Sequence, residues 1–254
     1  MTTTVIIGDT HCGSRVGLTP PQWQGGPFER AQKALWSWYI GIQKRIGKVD
    51  NLLCLGDMID GRQEKNGGND LIVTSRQAQC DIAAQIVRGW KARKIYMVRG
   101  TPYHCGAQAE EWEDGIAVSV DAEIDDRMFV NIDGYVFDLS HHVAAGRLPH
   151  TATGGIEKEG LHNLLWATRA DGQPKADVLL RGHSHIYKAV TDRHGLRMLC
   201  PALQLSGSKY GISKCRGLID IGLIVCYTRK GRGGLTWQPH LAELPEAAYR
   251  IRKA

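Results

Sequence analysis

The sequence predicts an α/β protein whose sheets are covered by helices. Three observations carry that prediction. Short apolar runs alternate with longer segments of helical periodicity along most of the chain. After Ile186 the pattern changes to strand-like runs and glycine-rich turns. Asp and His residues recur where the apolar runs end.

Val5-Ile6-Ile7 is the first predicted strand. From Phe28 to Ile46, apolar residues at Ala31, Leu35, Trp38 and Ile42 recur three and four apart, the spacing of an amphipathic helix. Asn51 to Leu55 reads as a strand, Leu71 to Trp90 as a helix and Lys94 to Val98 as a third strand. A short helix is expected between Gln108 and Val118. Met128 to Ile132 and Tyr135 to Leu139 flank Asp133-Gly134, a hairpin signal. A helix over Ile156 to Ala170 precedes the run Asp177 to Leu180. Strands are then expected over 186–191, 196–199, 217–227 and 235–238. No repeat, low-complexity tract or Pro/Ser-rich linker divides the chain, so a single domain over 1–254 is expected. Glycine-rich loops over 12–27, 61–70 and 143–155 lie beside strand ends, where binding surfaces usually form.

Composition narrows the class. The chain has 254 residues, 43% hydrophobic and 23% charged, as in ordinary globular proteins. That excludes a disordered tail, a coiled coil or a collagen-like chain. No apolar run approaches the ~20 residues of a membrane-spanning helix, since Leu218 to Tyr227 already contains Asp220 and Gly222. The N-terminal residues lack a basic, then apolar, signal pattern, and a cytoplasmic location without a membrane is expected. Seven cysteines without a C-x-x-C pair do not form a disulfide framework or a zinc knuckle. Thirty-two Lys and Arg against 26 Asp and Glu leave +6, scattered along the chain and consistent with a phosphate-bearing partner.

The chemistry-bearing residues sit at strand ends. The first strand runs into Asp9-Thr10-His11, the second into Gly56-Asp57-Met58-Ile59-Asp60, and the third into Gly100-Thr101-Pro102-Tyr103-His104. Later strands meet His141-His142 and Gly182-His183-Ser184-His185. In α/β sheets the carboxyl ends of parallel strands line one edge, and ligands bind there. Any one of these motifs has an ordinary explanation as a cap or a turn. Their conjunction does not, and it predicts a metal site. Carboxylates and imidazoles without a cysteine cluster suit Mn²⁺, Fe or Zn²⁺. Four histidines and two aspartates suit two ions bridged by one carboxylate and a water. Such a pair clamps the attacking and leaving oxygens of a phosphate ester and supplies hydroxide near neutral pH.

This ordered set, Asp9-x-His11, Gly56-Asp57-x-x-Asp60, His141 and Gly182-His183-x-His185, resembles the calcineurin-like metallophosphoesterase superfamily over residues 5–190. The resemblance implies a four-layer fold, two mixed β-sheets packed as a sandwich and flanked by helices. It implies that Asp9, His11 and His185 hold one metal, that Asp57 bridges, and that His141 and His183 hold the second, with His142 as an alternative or supporting residue. Mn²⁺ is the expected ion, with Fe or Zn²⁺ as alternatives. One departure stands out. Superfamily members have Gly-Asn-His at the third motif, whereas here Thr101 occupies the amide position and His104 arrives two residues late. Thr101 is therefore a poorer ligand or a supporting residue, and His104 is expected to act as general acid. Arg62 is a candidate phosphate contact.

The function so implied is hydrolysis of phosphodiesters in DNA, RNA or nucleotides. The alternatives are a phosphomonoesterase acting on a metabolite or phosphoprotein, and a non-catalytic metal-binding scaffold with a degraded third motif. No sequence feature identifies a protein partner.

Overall fold

The computed structural model describes residues 1–106, 111–143, 146, 151–208 and 219–244. In chain order its principal elements are β1 (Thr2–Ile7), α1 (Glu29–Ile46), β2 (Asn51–Cys54), α2 (Arg76–Arg88), β3 (Lys94–Val98), α3 (Pro102–Cys105), α4 (Trp112–Val120), β4 (Glu123–Asp125), β5 (Arg127–Ile132), β6 (Tyr135–Ser140), α5 (Gly154–Trp166), β7 (Val178–Arg181), β8 (Lys188–Asp192), β9 (Gly195–Leu199), β10 (Gly222–Thr228) and β11 (Leu235–Leu241). They form two mixed sheets. One has six strands in the order β11-β10-β1-β2-β3-β4, the other five in the order β5-β6-β7-β9-β8.

The pleat of the first sheet sorts its side chains into two cores. Ile6, Leu53, Leu55 and Val98 face the second sheet and pack with Phe137, Leu139, Val178, Leu180 and Met198. Val5, Ile7, Leu52, Cys54 and Met97 face the other way, onto Leu35, Tyr39 and Ile42 of α1 and Ile82, Ala83 and Ile86 of α2. Ile156 of α5 covers the second sheet at Leu199. The order of layers is thus helices, sheet, sheet, helix, the four-layer sandwich that the sequence implied. Strands buried on both faces explain why β1 and β2 are near-continuous apolar runs rather than alternating ones.

Several predicted boundaries move for identifiable reasons. The helix expected from Leu71 begins at Arg76, because the backbone N–H groups of Ile72 and Val73 donate to Gly13 O at 2.9 and 3.1 Å. Ser75 then caps α2, its hydroxyl accepting from Ala78 N at 3.3 Å. The helix expected to reach Ala170 ends at Trp166, where Ala167 to Gly172 wind into turns. The edge strand β4 and the single turn α3 are additions to the predicted elements. Residues 108–110 of the expected short helix, 217–218 of an expected strand and much of the 143–155 loop lie outside the described residues.

Candidate metal centre

Parallel register brings the chemistry to one rim. β1 pairs with β2 from Thr4 opposite Asn51 to Ile7 opposite Cys54, and β2 with β3 up to Cys54 opposite Met97. The chain therefore leaves these strands side by side at Gly8, Leu55 and Arg99. In the second sheet Ser140 of β6 stands opposite Arg181 of β7, so His141 and Gly182 leave together. The two exits meet. His183 N donates to Asp9 Oδ2 at 3.1 Å, and His141 Nδ1 lies 2.6 Å from Leu55 O.

The backbone turns sharply where each motif begins. Asp9, His11, Asp57, His183 and His185 all have positive φ, from 44° to 64°. Asp and His adopt this left-handed region more readily than most side chains, at a cost on the order of 1 kcal/mol each. Close packing behind the turns demands small residues. A Cβ on Gly100 would lie 2.2 Å from Asp57 N and Oδ1, and one on Gly56 would lie 2.7 Å from Gly100 Cα.

Three groups of donors result, each with its ligand atoms mutually within 4.8 Å: Asp9, His11 and His185; Asp57, His141 and His183; and His11, Asp57 and His104. All six ligands named from the sequence are among them, and His104 joins them. Within the first group His185 Nε2 is 3.1 Å from Asp9 Oδ1 and 3.4 Å from His11 Nε2. Within the second, His141 Nε2 is 3.1 Å from Asp57 Oδ2. Asp9 and Asp57 are fully buried, whereas His183 is exposed.

These residues fit a divalent ion on two independent observations. His141 Nδ1 is held by Leu55 O, which turns its buried Nε2 toward Asp57, and no protein group meets that nitrogen with hydrogen-bond geometry. His11 is oriented the same way, with Nδ1 3.0 Å from Asp60 Oδ1, so its Nε2 lone pair also faces the centre. The protonation pattern agrees. Burial, and then the nearby His104, push His11 below the usual imidazole range. Burial and the neighbouring His141 bring His183 down to about 4. Both rings are therefore neutral, as ligands must be. Burial would raise Asp9 and Asp57, yet the adjacent His185 and His141 hold both carboxylates below their usual range. His141 itself, against the effect of burial, rises to about 10 beside Asp57, and a cation there would replace its proton.

The remaining predicted residues are placed as follows. Thr101 sits on Asp57: its N–H donates to Oδ1 at 2.6 Å and its hydroxyl lies 3.0 and 3.2 Å from the two carboxylate oxygens. The exposed His142 ring lies 4.7 Å from that of His183 and belongs to none of the three groups. Arg62 is exposed in its loop, 3.9 Å from Glu64 and outside those groups.

Two supporting carboxylates complete the centre: Asp60, which the sequence motif contains without a role, and Glu113, which sequence reasoning missed. Asp60 is buried and joins two histidines, with His11 Nδ1 at 3.0 Å and His104 Nδ1 at 3.2 Å from Oδ1. Gln63 Nε2 holds its other oxygen. Glu113, also fully buried, accepts from Met58 N at 2.8 Å and Gly100 N at 2.6 Å, and so ties the second and third strand-end loops together behind Asp57. A signal for Glu113 existed. It shares the buried face of α4 with Ile116 and Ala117, an anomalous place for a carboxylate.

A sandwich of two mixed sheets, with a cluster of Asp and His at the carboxyl ends of its strands, is the class that this fold and site define. No protein-family model matches the chain, and neither does any curated protein. Among solved structures the chain is similar to Vps29 of Entamoeba histolytica in complex with Zn²⁺, at 13% identity over 94% of this chain and 99% of that one, with a TM-score of 0.49. It is similar to an archaeal phosphodiesterase at 13% identity, covering 94% of this chain and 100% of that one, with a TM-score of 0.49. A conserved protein of Streptococcus pneumoniae described as a predicted phosphoesterase shares 12% identity over 94% of this chain and 98% of that one, with a TM-score of 0.42.

Proposed function

We propose that this chain is a calcineurin-like metallophosphoesterase, a single domain over 1–254 that uses two divalent ions to hydrolyse phosphodiesters of nucleic acid or nucleotides. One observation carries the reading: Asp57 belongs to two of the three donor groups, and the buried Nε2 of His141, unsatisfied by any hydrogen bond, meets it there. Asp9, His11 and His185 would hold one ion, His141 and His183 the other, with Asp57 shared. Mn²⁺ is the proposed ion, with Fe or Zn²⁺ as alternatives. Such ions, when bound, polarise a phosphate ester and lower the pKa of water.

The chain's own residues prepare the centre. Leu55 O and Asp60 fix the ring orientations of His141 and His11. Thr101 and Glu113 hold Asp57 and its loop in place, and the positive-φ turns aim the donors across the rim. The exposed edge at His183 and His142 is where a phosphodiester would enter. Among the described residues no helix is long and apolar enough to cross a membrane, and the six described cysteines are free and buried. A reducing cytoplasm is part of the proposal.

The test is hydrolysis of bis-p-nitrophenyl phosphate against p-nitrophenyl phosphate with added Mn²⁺. Preference for the diester supports the reading, and preference for the monoester moves it to phosphomonoesters. The engagement of the Thr101 hydroxyl with Asp57 favours a second reading, a metal-binding scaffold without turnover. Metal uptake without activity on either ester would establish that one.

A further inference from the structure

We propose that His104 is a ligand of the metal that His11 binds. The inference rests on reading the rim as a metal centre, and goes beyond that reading by changing the ligand set and the order of loading.

His104, His11 and Asp57 bring ligand atoms within 4.8 Å of one another, the same closeness as in the two groups that the motifs define. The His104 and His11 rings meet edge to face with centroids 4.6 Å apart. The orientation of the ring matches that of the other ligands. His104 Nδ1 is held by Asp60, 3.0 Å from its carbonyl oxygen and 3.2 Å from Oδ1, much as His141 Nδ1 is held by Leu55 O at 2.6 Å, so Nε2 is the ring nitrogen left for a cation. Thr101 has no such freedom, because its N–H and hydroxyl are both turned to Asp57. The two-residue delay of His104 is what the turn α3 accommodates. Pro102 starts that turn, His104 N and Cys105 N both bond to Thr101 O at 3.0 and 2.9 Å, and the ring swings from the loop to the His11 side. Gly61 makes the fit possible, since a Cβ there would stand 2.3 Å from His104 O.

The consequence is an unequal pair of sites. His11 belongs both to the group with Asp9 and His185 and to the group with Asp57 and His104, while the other site has Asp57, His141 and His183. The first therefore loads before the second. With its lone pair committed to a cation, His104 does not carry the proton for the leaving group.

The experiment is a Zn²⁺ titration of the metal-free chain against a chromophoric chelator, in wild type, H104Q, H104A and H183A. The His104 variants should weaken the first ion by roughly 10–100-fold, the range for loss of one ligand or its support. H183A should weaken only the second. In ¹⁵N-histidine-labelled wild type, which needs no substitution, the His104 ring nitrogen should shift with the first equivalent, together with His11 and His185. Unchanged first-ion affinity in well-folded H104Q, with only kcat reduced, would overturn the inference and restore His104 as a leaving-group acid. A His104 resonance unmoved at saturation would overturn it too. Wild type that takes up no Zn²⁺ would overturn both this inference and the reading beneath it.

Discussion

Strand β6 and the residue that follows it meet two buried polar clusters within four residues, and they differ in kind. At Asp138 every charge is answered. Its carboxylate accepts from Arg127 Nε and Nη2 at 2.8 and 2.7 Å and from Arg181 Nη2 at 2.8 Å, while Arg181 Nε donates to Glu159 at 2.6 Å and Nη1 to the Asp138 carbonyl at 2.9 Å. At His141, three residues on, carboxylates crowd together and a buried ring nitrogen has no hydrogen-bond partner. The first cluster is complete as it stands, and its energy is conformational. The second leaves a donor unsatisfied among groups that could hold a metal ion. Burial of charge is common to both, so it identifies neither; the satisfaction of each donor and acceptor tells them apart.

That contrast can be broken experimentally at either end. The largest effect is expected at Asp57. Asp57→Asn should reduce esterase activity by on the order of 10³-fold, the several kcal/mol that metal catalysis supplies, with little change in urea unfolding. Wild-type turnover in that variant would remove Asp57 from its bridging place. Arg181→Met should do the reverse. It takes one of the two guanidinium partners from Asp138 and the partner of Glu159, costs about 3 kcal/mol of stability, and leaves metal uptake per folded molecule unchanged. Stoichiometry by elemental analysis beside a denaturant curve checks both halves.

A smaller effect tests the support of the centre. Asp60→Asn removes the negative partner of His11 and His104, and metal affinity should fall about 10–100-fold in a chelator competition. The paired cluster has its own signature in acid. Burial would raise the Asp138 carboxyl, but Arg127 and then Arg181 hold it below its usual range. A depressed carboxyl stabilises the fold above its unfolded pKa of about 4, and that stability is lost as pH falls through the folded value. Asp138→Asn should therefore flatten the dependence of unfolding free energy on pH below about 4; an unchanged slope would assign acid sensitivity elsewhere. The smallest effect concerns Arg62. Its exposed guanidinium near Glu64 should contribute little, and Arg62→Ala should keep kcat/KM within about twofold.

Much of this was legible in the residues because β1, β2, β3 and α1 are local in origin: apolar runs and three-four spacing are set by neighbours in sequence. The strand-end Asp and His were legible too, since parallel strands deliver their carboxyl ends to one side. What escaped was non-local. Nothing around Leu71 announces that its backbone will bond to Gly13 and delay α2. Nothing beside Asp60 announces two histidines from distant loops, and Thr101 reads as a weakened ligand until its hydroxyl is seen on Asp57. The paired cluster escaped altogether, because Arg127, Asp138 and Arg181 are ordinary charges until three neighbouring strands set them side by side.

The left-handed turns at Asp9, His11, Asp57, His183 and His185 have a consequence for how this rim can change. Backbone geometry there acts as a filter on the amino-acid alphabet. Valine, isoleucine and threonine are shut out by their branched β-carbons, whatever their other merits. The residues that pass most easily, aspartate, asparagine, histidine and glycine, include three that can donate to a metal. A lineage drifting at these positions would thus be steered back toward ligands by the shape of the main chain, even before selection acts on any reaction.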